Sequence, residues 1–539
     1  VALQPNLPWE AKVLHEGVED LATSIPPIDK HNIQLLNNVH PVPWTDPNPA
    51  SPIYNLVVIG GGAGGLVSSI GSVQYGAKVA LIEAHLLGGD CTNFGCVPSK
   101  ALIKAATVAH TVRNAADYGV HIEGGTASVT VDFNRVMERM RAIRAEISNF
   151  EAGERLAGLN IDVYLGHAVF DSPNSVVVNG KQLRFRKCII ATGGKAYVPK
   201  IPGLETVKYL TNESLFNLTE LPKRLIVVGG GPIGVEMAQT FQRFGTQVTI
   251  LVRGGKILDK EDVDAAQVVQ QQLQRDGVPL RSDKAVEGKE DADHDYSEVT
   301  VLLTADGESA EFSIAADQIL LATGRKPTVL GMGLEAGNVA YSEVHGITVK
   351  DSMCSVSNPN VYAAGDCCSH FQFTHAADWM ARIAIQNALF FGTGKFSSLI
   401  IPWCTFTEPE IAHVGLYPHD MEVRSIKFDT YIKHFSDNDR SICEGEEATL
   451  GFVKIHVKEG GDEILGCTIV GQGAGDMISE VTTLMHAKMG LRKLTAVIHP
   501  YPTRADAIRQ IGDAHFAVHG VSPFTRGILA RIFTFAIKG

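Results

Sequence analysis

The feature that most restricts the fold is a strand–glycine turn–helix unit that occurs twice. In the first copy, Tyr54-Asn55-Leu56-Val57-Val58-Ile59 runs into Gly60-Gly61-Gly62-Ala63-Gly64-Gly65. A helix to about Tyr75 and a strand ending at Glu83 follow. In the second, Leu225-Ile226-Val227-Val228 leads into Gly229-Gly230-Gly231-Pro232-Ile233-Gly234, with a helix through Phe244 and a strand ending at Arg253. Gly60, Gly62 and Gly65, and again Gly229, Gly231 and Gly234, keep the G-x-G-x-x-G spacing. That spacing permits a tight turn and lets a pyrophosphate sit on the helix N-terminus. Glu83 stands where a carboxylate binds adenosine ribose hydroxyls. Each unit is followed at a distance by an apolar strand and an Ala-Thr-Gly turn, carrying Thr192 and Gly193 in one case and Gly324 in the other. The fold class is therefore α/β, with two Rossmann-like domains binding two dinucleotides.

Downstream of the first turn lies Gly88-Gly89-Asp90-Cys91-Thr92-Asn93-Phe94-Gly95-Cys96-Val97-Pro98-Ser99-Lys100. Nine cysteines scattered over 539 residues are unlike a secreted disulfide scaffold. In a reducing compartment, a persisting Cys91–Cys96 disulfide would be chemistry rather than a staple. A zinc site would need a second pair at suitable spacing, and none is present. No metal site is expected. A helix starting around Pro98 would stabilise a thiolate at Cys96. The other seven cysteines, Cys367-Cys368 included, are read as structural packing.

The net charge of −12 argues against coating nucleic acid. No stretch offers the roughly 18 apolar residues of a spanning helix. Residues 1–52 are Pro-rich and read as an extended N-terminal arm with Trp9 and Trp44 as anchors. Residues 132–157 show helical periodicity. From Ile401 onward, alternating strands and then helices read as a separate α+β domain. Residues 516–539 form a basic, apolar tail with no acid after Asp513. Its segment 526–539 suits a peripheral membrane or complex contact, or packing on the protein's own dimer.

In this order, the cysteine motif, both glycine turns, both Ala-Thr-Gly turns and Gly365-Asp366 resemble the class I pyridine nucleotide–disulfide oxidoreductases. Gly-Gly-Asp-Cys and His-Pro-Tyr-Pro-Thr are shared with the mercuric-reductase-like flavoproteins, and the resemblance is greatest to the mercuric-reductase-like and dihydrolipoyl-dehydrogenase-like members. The resemblance implies FAD on residues 53–200 and 326–400, with Gly60, Gly62, Gly65, Glu83, Thr192, Gly193, Gly365 and Asp366 as contacts. It implies NAD(P)H on 201–325, with Gly229, Gly231, Gly234, Arg253 and Gly324. Residues 401–515 would form a homodimer and complete the partner's site. Cys96 would face the flavin, Cys91 would meet the substrate, and Lys100 and Glu236 would form an ion pair beside the flavin.

The resemblance breaks on the substrate side. Where disulfide reductases carry a His base and a Glu, alignment on Pro-Thr puts Tyr501 and Asp506, with His499 two residues earlier. Phenol titrates near ~10 and imidazole near ~6.5, so Tyr501 is a poor base. The C-terminal cysteine pair of mercuric reductases is absent, because no Cys follows Cys467. Ile70 and Gly71 replace the arginines of glutathione reductase. The expected function is FAD-dependent transfer from NAD(P)H through Cys91–Cys96 to a disulfide, thiol-reactive or metal-ion acceptor. The alternatives are a low-turnover accessory flavoprotein of a larger assembly and a mercuric-ion-type reductase. NADPH is favoured over NADH, because no acid ends the second strand and Arg253 follows it. Val1 in place of Met suggests a removed leader, hence an organelle matrix or chloroplast stroma, with the cytoplasm as the alternative.

Overall fold

A computed structural model describes residues 25–48, 53–201, 203–282, 286–290, 299–304, 311–520 and 523–538. The chain divides into two units, residues 1–255 with 278–399, and residues 256–277 with 400–539.

In the first unit, four parallel strands lie in the order Ile161–Leu165, Val79–Glu83, Ile53–Ile59 and Lys181–Ile190. Val361–Ala363 also pairs parallel with Lys181–Ile190. Ile53–Ile59 is apolar almost throughout, as a strand covered on both faces must be. A second sheet, also parallel, has the order Leu280–Ser282, Gln247–Val252, Arg224–Val228 and Gln318–Leu321. Each glycine turn thus leaves a central strand of its sheet and enters a helix, Ala63–Val73 in one case and Pro232–Phe244 in the other.

The N-terminal segment departs from the expected extended arm. Its described part contains a helix, Lys30–Val39, which lies between the proline clusters. Asp29 starts it by accepting from the backbone N–H groups of His31 and Asn32 at 3.0 and 2.9 Å, and also takes Arg141 Nε at 2.6 Å. Buried Arg144 ties this helix to the cysteine segment, donating to Asn32 Oδ1 at 2.7 Å and Asn93 O at 2.8 Å. Trp44 donates to Val163 O at 3.0 Å. Trp9 lies outside the described residues.

The second unit is built on an antiparallel sheet, Trp403–Thr405, Glu410–Gly415, Ile464–Gly471, Phe452–Lys458 and Phe428–His434 in spatial order. Ile478, Val481, Ile508 and Ile511, from helices Ala474–His486 and Asp506–His519, share a core with Val453, Ile455 and Ile469. Residues 256–277, expected within the NAD(P) segment, belong to this unit, and polar contacts explain why. Lys454 Nζ is buried against Asp262 at 2.9 Å and Asp264 at 2.6 Å. Trp403 Nε1 and Tyr417 Oη donate to Glu261 at 2.9 and 2.5 Å.

Candidate active site

The two glycine turns are built alike. Gly60 and Gly229 have φ of +103° and +118°, which favours glycine. A Cβ on them would lie 2.4 Å from Ala191 O and 2.3 Å from Ala322 O, so each Ala-Thr-Gly turn presses on the first glycine of its unit. A Cβ on Gly65 or Gly234 would strike the carbonyl of that first glycine, at 1.7 and 2.1 Å. The middle glycines differ. Gly62 has only Gly89 Cα near its Cβ direction, at 3.6 Å, and Gly231 has nothing within 4 Å. Those two face open space at helix N-termini that no side chain caps. Both turns therefore fit a pyrophosphate approaching the backbone closely.

Glu83 ends its strand half-buried, its oxygens accepting from Gly61 N at 2.5 Å and His85 N at 2.7 Å. Burial pushes its carboxyl up. Thr192 Oγ1 donates to Thr328 O at 2.7 Å, and Gly193 has φ of +65°. Gly365 has φ of +87° and precedes Asp366, whose carboxyl burial also pushes up. Arg253 directly follows Gln247–Val252, and Gly324 has φ of +114° beside Arg325.

Arg325 has a role that the motif reading missed. Its guanidinium lies 3.1 Å from Asp90 Oδ2 and 3.3 Å from Asp366 Oδ2, and donates to Gly194 O at 2.6 Å. One cation thus joins the residue before Cys91 to the Gly-Asp turn. The signal was its place after Ala322-Thr323-Gly324; its partners are distant in sequence.

The cysteines occupy two consecutive helices, Cys91 within Gly89–Phe94 and Cys96 at the first position of Cys96–Arg113. Both are free thiols, Cys91 half-buried and Cys96 exposed. Cys96 is held down to about 6, chiefly by its hydrogen bond with Cys91, then by Thr374 and the Lys100 charge, against Asp90 and the partial desolvation that the surrounding chain imposes even on an exposed residue. Cys91 is raised by the same bond and by burial. The helix N-terminus acts on Cys96 in the same sense. Thr374, also unanticipated, sits with its Oγ1 3.6 Å from Cys96 Sγ. It begins the helix Thr374–Leu389. Lys100 Nζ donates to Glu236 Oε2 at 2.9 Å, joining the helices that follow the dithiol and the second glycine turn.

The second unit holds the remaining candidates in a different pairing from the expected one. Tyr501, 74% exposed, donates to Asp439 Oδ2 at 2.8 Å. Its phenol is pushed up by that bond and the Asp439 charge. His499 Nε2 pairs with Glu480 Oε1 at 2.8 Å, with its side chain buried. Asp506 is occupied at the start of its helix by Arg509 at 2.6 Å and Gln510 at 2.6 Å. The aligned Asp506 is thus not the hydrogen-bond acceptor of either residue. Asp439 and Glu480 take that place, and neither lies in the motif.

Such geometry defines a dinucleotide-dependent dithiol oxidoreductase. The chain matches the pyridine nucleotide-disulphide oxidoreductases over residues 54–381 and the dimerisation domain of that family over 401–511, and it belongs to this family. It is 31% identical over 456 residues to a mercuric reductase of Lysinibacillus sphaericus, covering 85% of this chain and 81% of the relative. It is 32% identical over 452 residues to a dihydrolipoyl dehydrogenase of Geobacillus stearothermophilus, covering 83% and 93%. Among solved structures it resembles the HOCl-induced flavoprotein disulfide reductase RclA of Escherichia coli, with TM-score 0.74, 27% identity, and coverage of 85% and 99%. The protein is an FAD- and NAD(P)H-dependent oxidoreductase, and its dimerisation domain makes it a homodimer.

Proposed function

We propose that the Cys91/Cys96 dithiol reduces a thiol-reactive acceptor, a soft metal ion or an activated oxidised thiol, without an imidazole base from the partner subunit. The observation that carries this is Tyr501, which stands at the aligned base position and donates to Asp439, while the neighbouring imidazole of His499 has its side chain buried against Glu480. FAD, which Gly60, Gly62, Gly65, Glu83, Gly365 and Asp366 would hold, would supply the route for two electrons from NAD(P)H to the disulfide. Cys96, held down to about 6, keeps its thiolate at neutral pH. Cys91 then meets the acceptor. In the dimer that the resemblance implies, Tyr501 of the partner subunit faces that thiol, and a phenol raised by Asp439 stays neutral, with its proton committed to the Asp439 carboxylate, so it serves neither as base nor as ready acid.

Stable organic disulfides are poorly served by this arrangement, since they need the interchange thiol deprotonated and the leaving thiolate protonated. A soft ion needs neither, because it draws thiolates directly. The balance is simple: the Cys91 thiol and Cys96 thiolate become a disulfide and one proton leaves, while one Hg(II) becomes Hg(0) or two Cu(II) become two Cu(I). Support comes from the mercuric reductase relatives and from the RclA structure described as a Cu(II) complex. We read NADPH as the donor, because Gln247–Val252 ends without an acid and Arg253 follows.

NADPH oxidation by the FAD-loaded protein decides the matter, with Cu(II), Hg(II), glutathione disulfide and lipoamide as acceptors. The metal ions should turn over, the two organic disulfides should be slower by about 10²-fold or more, and Cys91→Ala should abolish both. Faster turnover of either organic disulfide overturns the reading.

A further inference from the structure

The helix Pro523–Lys538 lies beyond the residues matched to the dimerisation domain, which end at 511. Every residue from Phe524 to Ile537 is exposed. Phe524, Phe533, Phe535 and Ile537 are exposed by 77%, 61%, 83% and 87%. Scattered exposed apolar residues need no explanation, but a contiguous patch of them marks an interaction surface. At 3.6 residues per turn, Phe524, Ile528, Ile532 and Phe535 share one side and Leu529, Phe533 and Ala536 the next. Gly527, Arg531 and Thr534 occupy the remaining strip, while Arg526, which donates to Ala517 O at 3.1 Å, falls between Phe533 and Ile537.

Charge selects the occupant. The segment after Asp513 contains Arg526, Arg531 and Lys538 and no acid, in a chain of net charge −12. Two such helices packed together would bring like charges side by side. A wide apolar face bordered by cations instead matches the interface of an anionic bilayer, where the apolar side enters the headgroup boundary and the arginines meet lipid phosphates. Among the described residues no helix is long and apolar enough to cross a membrane. We propose that Pro523–Lys538 docks the protein on an anionic lipid surface, lying in the plane of the interface. The homodimer would present two such helices, and the second would bind at high effective concentration once the first is seated.

Co-sedimentation with vesicles tests this on the full chain with FAD bound. Vesicles of phosphatidylcholine mixed with phosphatidylglycerol should pellet the protein, and phosphatidylcholine alone should bind about tenfold less or weaker. Binding should fall as salt rises. Phe533→Ser with Phe535→Ser, and separately Arg526→Glu with Arg531→Glu, should each lose the pelleting while NADPH-driven flavin reduction stays unchanged. Equal pelleting of parent and variants, or none by the parent, overturns the proposal. So does a change of oligomeric state in the Phe533→Ser/Phe535→Ser protein by analytical ultracentrifugation, since the occupant would then be a second copy of this chain.

Discussion

Lys100 Nζ donates to Glu236 Oε2 at 2.9 Å, and the two ends of that bond are unequally placed. The carboxylate side chain is 6% exposed and the ammonium 36%. A buried charge stripped of its partner costs far more than one that water can reach. Lys100→Met should therefore destabilise the FAD-bound protein by about 2 kcal/mol, whereas Glu236→Gln should cost about 1 kcal/mol or less. Denaturant midpoints at unchanged slope read this directly. Equal losses would show that the exposed end matters as much as the buried one.

The Cys96 thiol carries a pH dependence of defined sign. Its shift is downward, to about 6, so the thiolate persists above that value and is lost as pH falls through it. Alkylation of the NADPH-reduced protein should follow this midpoint. Cys91→Ala removes the largest cause and should move the midpoint up by about one unit or more. Thr374→Val, which removes a smaller one, should move it up by less. A midpoint near the free-thiol value of ~8.5 in the parent overturns this account.

Arg325 is nearly buried between Asp90 and Asp366, with its side chain 12% exposed. Removing it would leave two neighbouring carboxylates without their shared cation, and Asp366 is already raised by burial. Arg325→Ala should cost about 3 kcal/mol and loosen FAD, measured by thermal unfolding and by flavin retained on gel filtration. Arg325→Lys should rescue only part of the loss, because a point charge cannot serve both carboxylates and Gly194 O as the fork does.

These residues show where a sequence stops being informative. The glycine turns were readable because strand, turn and helix are contiguous, so the spacing itself carries the geometry. Lys100 and Glu236 were readable only through the family pattern. Arg325 and Thr374 were not, since they lie 235 and 278 residues away from Asp90 and Cys96 respectively. Tyr501 is legible from the Pro-Thr alignment, but the acid which that alignment places with it is Asp506, and the fold supplies Asp439 from another element instead. The helix Lys30–Val39 was missed for a different reason. The prolines of residues 1–52 suggest an extended arm throughout, although the ten residues between the clusters contain none and follow an Asp N-cap.

Tyr501 offers a change of specificity. Tyr501→His would place an imidazole where the family's disulfide reductases carry one, and general acid–base catalysis contributes typically about 10²–10⁴-fold. Turnover of lipoamide or glutathione disulfide should rise by about 10²-fold, with metal-ion turnover little changed. Asp439→Asn should lower the Tyr501 pKa, because the bond and charge of Asp439 are what raise it. An ultraviolet phenolate titration compared with Tyr501→Phe resolves that shift.

The two kinds of glycine in the second turn should fail differently. A methyl at Gly231 meets nothing within 4 Å of the chain, so Gly231→Ala should fold with a stability close to the parent's. It nevertheless occupies the space through which a pyrophosphate reaches the helix N-terminus, so KM for NADPH should rise by about tenfold or more. A methyl at Gly234 would lie 2.1 Å from the carbonyl oxygen of Gly229, which is backbone and cannot swing aside. Gly234→Ala must push the helix Pro232–Phe244 away from its strand and should cost about 1–3 kcal/mol. Because Glu236 lies on that helix, the displacement should also disturb its bond to Lys100. Thermal unfolding and NADPH kinetics measured on both variants separate the effects: stability lost only at Gly234, nucleotide affinity lost at both. Loss of stability at Gly231 instead would mean that the open space is needed by the fold itself.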